Sequence, residues 1–208
     1  VLCLEPSLPG GAMKVQRKGR LVVRLETRGK AAHAGTPDKG INAIEELIIQ
    51  LQRIKRLETK EITINLGLIG GGEKPNIVAE EAWVVLDIRF WKNFQKEKMI
   101  SFLKKLRPTY KGARIKFSIE SLTPPMEKTR ASARLLSQIR KIASSLNMEL
   151  AAGKTGGGSD ASIASSLGVP TVDGLGPDGD GIHAENEHLL LASLVERTAF
   201  LTELLIQL

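Results

Sequence analysis

The chain has 208 residues, enough for one or two domains, and is 42% hydrophobic and 25% charged, which excludes disordered, collagenous and low-complexity classes. Its single cysteine, Cys3, excludes a disulfide scaffold and suits a reducing compartment such as the cytoplasm. The net charge of +7 is scattered along the chain and aromatics are only 4%, so the cations read as solvated helix faces and no nucleic-acid partner is expected.

The chain opens on an apolar run, Val1 to Leu4, with no initiator Met, charged n-region or signal-peptide length. This reads as a buried strand of a larger fold and predicts that the chain is a fragment. A Pro/Gly loop follows (Pro6, Pro9, Gly10, Gly11). Residues 21–27 are rich in β-formers. Ile44, Leu47, Ile48 and Leu51 then fall at helical spacing, whereas Ile62, Ile64 and Leu66 alternate with polar residues as in a half-buried strand. Residues 83–90 form another strand, Met99, Phe102, Leu103 and Leu106 another helical face, and Ile115, Phe117 and Ile119 another alternating strand. The order β-α-β-β-α-β predicts a ferredoxin-like sandwich with two helices on one face of a sheet. Thr123-Pro124-Pro125 marks a hinge. Beyond it come a helix bearing Leu135, Ile139, Ile142 and Leu146, a short strand at 149–152, a glycine-rich turn, a short helix from Ser159, a strand at 169–172, and a last helix. That last helix, within 189–208, carries Glu196, Arg197 and Glu203, so it is amphipathic and no membrane span is expected. The expected domains are 1–18 with 122–208, forming part of an α/β domain, and an inserted 19–121.

Four places have side chains suited to chemistry. Glu5 ends an apolar strand, where α/β sheets place their functional crevice; it is read as a cation ligand or base, or else as a solvated loop glutamate. His183 lies in a Gly/Asp loop with Glu187 four residues on, a metal-ligand pattern, although an exposed surface histidine fits equally. His33, flanked by small residues, reads on its own as structural or merely exposed. Gly156-Gly157-Gly158-Ser159-Asp160 is a strand-to-helix turn with Ser159 as N-cap. Gly153-Lys154-Thr155 fails as a phosphate loop because Met148 replaces the first glycine and no helix follows Lys-Thr directly. Gly174, Gly176 and Gly179 match the dinucleotide spacing formally, but Pro177 interrupts and no helix opens there.

In combination, Leu4-Glu5-Pro6-Ser7, Lys18-Gly19, His33-Ala34-Gly35-Thr36-Pro37, Gly40-Ile41-Asn42-Ala43, Pro75-Asn76-Ile77-Val78, Asp87-Ile88-Arg89, Thr155 to Asp160 and His183-Ala184-Glu185-Asn186-Glu187 resemble, in order and spacing, the dizinc aminoacylase/carboxypeptidase family, whose members include carboxypeptidase G, acetylornithine deacetylase and succinyl-diaminopimelate desuccinylase. The resemblance implies a zinc-peptidase α/β domain carrying an inserted lid that forms a homodimer. It implies two Zn²⁺ ions (Co or Mn as alternatives) that activate water for hydrolysis of a small peptide or N-acyl amino acid. It makes Glu5 and His183 metal ligands and His33 the lid histidine that holds the oxyanion in the partner's site. Asn76 and Arg89 become binders of the substrate's carboxylate end, and Gly156, Gly157 and Gly158 the loop lining that pocket. Lys154 stands where some members have arginine and offers a point charge in place of a bidentate fork. The other ligands of the family lie upstream of Val1. The fragment alone is therefore expected to hold about two ligands, to bind metal poorly or be metal-free, and to be inactive. The alternative is a non-catalytic dimerisation module.

Overall fold

A computed structural model describes all residues 1–208. In chain order the elements are β1 (Met13–Arg17), β2 (Gly19–Arg28), α1 (Ala43–Lys55), β3 (Thr63–Gly71), β4 (Glu81–Phe90), α2 (Asn93–Lys105), β5 (Arg114–Thr123), α3 (Arg130–Ser145), β6 (Ala152–Thr155), α4 (Ala161–Ser166), β7 (Gly179–Asp180), β8 (His188–Leu189) and α5 (Leu191–Gln207). They gather into two compact units, Gly19–Thr123 in the middle and Val1–Lys18 with Pro124–Leu208 outside it.

The middle unit is a four-stranded sheet in the order β3-β4-β2-β5, with every neighbouring pair antiparallel. Alternation along the strands decides what is buried. Leu21, Val23 and Leu25 of β2 and Val84, Leu86 and Ile88 of β4 are fully buried on one face, against Leu47, Leu51 and Ile54 of α1 and Met99 and Leu103 of α2. Each such side chain contributes roughly 1.5–3 kcal/mol of burial. Helix α1 starts where the Asn42 side chain accepts from the Ile44 and Glu45 N–H groups, and it ends with Arg53 and Lys55 in its last turn, where cations suit the helix dipole. The buried Glu46 carboxylate accepts from the N–H groups of Thr109 (3.0 Å) and Tyr110 (2.9 Å), pinning the loop after α2. The other sheet face carries Arg20, Arg24, Trp83, Asp87 and Arg89, with the Arg24 guanidinium 4.3 Å over the Trp83 ring.

In the outer unit, β1 and β6 pair in parallel, and residues 1–3 run beside 172–175 through Cys3 N–H to Val172 O (3.0 Å) and Leu175 N–H to Cys3 O (3.1 Å). Met13, Ile139, Ala143, Val172, Phe200 and Leu204 form its core.

Three local expectations shift. The run at the chain start is not a buried strand: only Leu2 makes a bridge, and Val1 and Leu4 are 51% and 54% exposed. The regular strand of this region is Met13–Arg17, which buries Met13 and Arg17. The strand expected at 149–152 lies at Ala152–Thr155, because pairing with β1 sets Met13 opposite Ala152. Residues 169–172 contribute a lone bridge at Val172 and no ladder. No helix is long and apolar enough to cross a membrane.

Candidate active site

In the middle unit, the turn after β2 brings His33 beside Asn76. Backbone bonds lace the two segments together, from Ala34 N–H to Asn76 O (3.0 Å) and from Val78 N–H to Ala32 O (2.9 Å). Both side chains are exposed. The Gly35 N–H donates to His33 Nδ1 at 3.0 Å, so the neutral ring carries its hydrogen on Nε2 and presents that atom as a donor.

Arg89 sits near the other end of β4. Its Nε and Nη2 donate to Asp87 Oδ1 (2.6 Å) and Oδ2 (3.1 Å), while Arg20 Nε donates to the same Oδ2 at 2.8 Å. Partial burial pushes the Asp87 carboxyl upward, but the guanidinium hydrogen bonds and charges outweigh it and hold the group below its ordinary value. Arg89 pairs in register with Arg20, and Glu81 with Arg28, where β2 ends before the His33 turn. Those two positions are roughly 27 Å apart at strand rise. His33 and Asn76 therefore share one end of the sheet and Arg89 occupies the other.

In the outer unit, the segment bearing Glu5 lies against 174–177: the Gly176 N–H donates to Glu5 O (3.0 Å) and the Ser7 N–H to Pro177 O (3.1 Å). Gly176 is required there, since a Cβ would fall 2.4 Å from Leu4 O. The chain then enters the hairpin β7–β8, with His183 in its connecting loop at φ +67° and its N–H on Glu187 Oε2 (3.2 Å). Pro6, Pro177, Asp178, Asp180, Glu187 and His188 are among the residues lining a cavity of about 220 Å³. Glu5 and His183 are exposed, and neither belongs to a group of three or more His, Cys, Asp or Glu side chains arranged to hold a metal. The donor set within this chain thus falls short of a zinc site, which takes three protein ligands or more.

The glycine loop follows β6. Gly156, Gly157 and Gly158 are exposed, none has positive φ, and a Cβ on Gly156 or Gly158 would meet no atom within 4 Å. Backbone geometry therefore does not demand glycine here, and the missing side chains leave clearance above the loop. Lys154 is exposed on β6 just before it. Below the loop is a buried network that the sequence reading missed. Arg17 Nε donates to Asp173 Oδ2 (2.6 Å), Arg17 Nη1 to the carbonyls of Gly157 and Gly158 (3.1 Å each), and Ser159 Oγ to Asp173 Oδ2 (2.5 Å). The legible signals were Arg17 on the inward alternation of Met13 and Val15, and Asp173 closing the run Val169-Pro-Thr-Val172.

Comparison with known proteins adds the family. Residues 15–114 match the peptidase dimerisation domain of M20 peptidases. Protein YqjE of Bacillus subtilis is 31% identical over 183 residues, covering 84% of this chain and 48% of its own. Carboxypeptidase G2 of Pseudomonas sp. is 25% identical over 216 residues, covering 99% and 51%. The chain belongs to the M20 peptidase family. It spans about half the length of these curated relatives. Aminopeptidase PepT from Bacillus cereus shares the fold at a TM-score of 0.77 and 23% identity, over 97% of this M20 chain and 55% of its own.

Proposed function

We propose that this M20 chain is part of a metal-dependent amidohydrolase or exopeptidase that cleaves an amide bond beside a carboxylate-bearing amino acid, working as a homodimer in the cytoplasm. The observation that carries the reading is the pairing of His33, fixed as an Nε2–H donor, with Asn76 at one end of a sheet whose other end bears Arg89. A small substrate cannot span roughly 27 Å of strand. One copy therefore supplies His33 and Asn76 while a second supplies the rest of that site. Sheet edge β3 supports association: Leu68 and Ile69 are 61% and 62% exposed, and Ile44 and Ile48 of α1 are also exposed. An uncovered apolar edge strand is a template for pairing. The lone, partly buried Cys3 suits a reducing setting.

In this reading Asn76 and Arg89 hold the substrate's carboxylate end, with Lys154 adding a point charge beside Gly156–Gly158. His33 donates from Nε2 to the oxygen that gains charge as the amide carbon becomes tetrahedral, a contribution of about 3–4 kcal/mol in comparable sites. The two zinc ions implied by the family resemblance (or Co, or Mn) would take Glu5 and His183 together with further donors, and would supply an activated water. The test is hydrolysis of dipeptides and N-acyl amino acids by the whole protein that carries this chain. Activity is expected to disappear on chelation and in His183→Ala. Full activity after exhaustive chelator dialysis defeats the metal-dependent reading.

The short donor set favours a second reading for the 208 residues taken alone, a module that associates without hydrolysing. Sedimentation that shows a strict monomer at high concentration counts against it.

A further inference from the structure

We propose that Arg17 and Asp173 are positioning residues that hold the Gly156–Gly158 loop with the N–H groups of Gly158 and Ser159 facing outward, as paired donors for the substrate's carboxylate. This rests on the functional reading above for the substrate, and on the buried network for the rest.

Arg17 and Asp173 are buried, with side chains 3% and 0% exposed. A buried ion pair is a poor stabiliser, because desolvation offsets its attraction and apolar residues of similar volume often serve the fold as well. This one also leaves Arg17 Nη2 buried without a partner, at a desolvation cost. What the pair achieves is geometric. The Gly174 N–H donates to Asp173 Oδ1, while Ser159 Oγ and Arg17 Nε both donate to Oδ2. With Nε so fixed, Nη1 reaches the carbonyls of both Gly157 and Gly158 at 3.1 Å. In a planar trans peptide the carbonyl of one residue and the N–H of the next point in opposite directions. Drawing those two carbonyls inward therefore turns the N–H groups of Gly158 and Ser159 away from Arg17, toward the side where Gly156 and Gly158 lack side chains. Lysine carries its three donors on one compact nitrogen and lacks the planar fork that sets Nε on Asp173 and Nη1 on two carbonyls at once. Ser159 ties the loop to the same carboxylate and caps the following turn through the Ala161 N–H (3.1 Å).

The test uses Arg17→Lys and the double variant Arg17→Met/Asp173→Leu, whose apolar pair is expected to fold with a melting temperature near wild type. In the 208-residue chain, ¹⁵N order parameters at Gly156–Gly158 are expected to fall from about 0.85 to below about 0.6 in both variants, while those of β2 and β4 stay unchanged. In the whole protein, KM is expected to rise about tenfold with kcat within about twofold, as for lost ground-state binding. Unchanged loop order in both variants overturns the proposal. Loop loosening with an unchanged KM overturns it too, since the pair is then a structural clamp only. Failure of the functional reading is seen separately, as absence of hydrolysis by the wild-type whole protein.

Discussion

His33 is exposed on a turn, yet its neutral ring has no choice of tautomer. Gly35 donates to Nδ1, and Nε2 is left as the only ring donor. Such a donor is required when an oxyanion forms and contributes little to folding. On the proposed function, His33→Ala is expected to lower kcat of the whole protein by about 10²–10³, as for loss of one oxyanion donor, with no change in melting temperature. A matching fall in stability would assign the ring to the fold instead. Asp87 gives the opposite case, a charge that the fold favours. Its carboxyl is held below the ordinary value of 3.8, burial being outweighed by Arg89 and Arg20. A depressed acid contributes stability that is present above its unfolded pKa and is lost as pH falls through its lower folded one. Asp87→Asn is expected to melt below wild type at neutral pH, and that gap should narrow as pH drops below 3.8. Melting curves taken across the acid range decide it, and a gap independent of pH would refute the assignment.

Strand β3 carries apolar residues of two kinds, buried and exposed. Ile64 is 3% exposed and belongs to the core, whereas Leu68 and Ile69 are more than half exposed past the register shift between Leu66 and Leu68. Replacing both exposed residues with glutamate is expected to abolish self-association, measured by sedimentation, while the melting temperature of the monomer stays put. By contrast Leu86→Ala, in the buried row of β4, should cost about 2–5 kcal/mol in denaturant unfolding. The buried rows were legible in the sequence because period-2 and period-3.6 patterns report directly which face is covered. The ends of the chain were less so. Val1 to Leu4 reads as a core strand by composition, yet its exposure is set by which neighbours it has, a tertiary matter. The glycine loop was legible as a site, but the Arg17–Asp173 clamp beneath it joins positions 156 residues apart, and no local spacing reveals such a pair.

At the scale of the whole molecule the two units differ in how completely each covers its own apolar surface. The middle unit has a closed core that runs from Leu21 to Leu103 in one contiguous stretch of chain, and its most exposed large apolar residues are Leu68 and Ile69 of β3 and Phe94 of α2. The outer unit has a small core and leaves Leu167, Leu191, Val195, Leu205 and Ile206 at 71–77% exposure, with sheets of only two strands each, β1–β6 and β7–β8. Soluble monomers rarely leave contiguous apolar patches of large area uncovered. Two strands with helices on part of their surface make a marginal core. Residues 19–123 expressed alone are accordingly expected to unfold in one cooperative transition, to self-associate, and to bind little hydrophobic dye. The 208-residue chain should bind the dye strongly, and Leu205→Glu/Ile206→Glu should reduce that binding without altering the unfolding of 19–123. Equal dye binding by the two proteins would show that the outer unit covers its helices in solution.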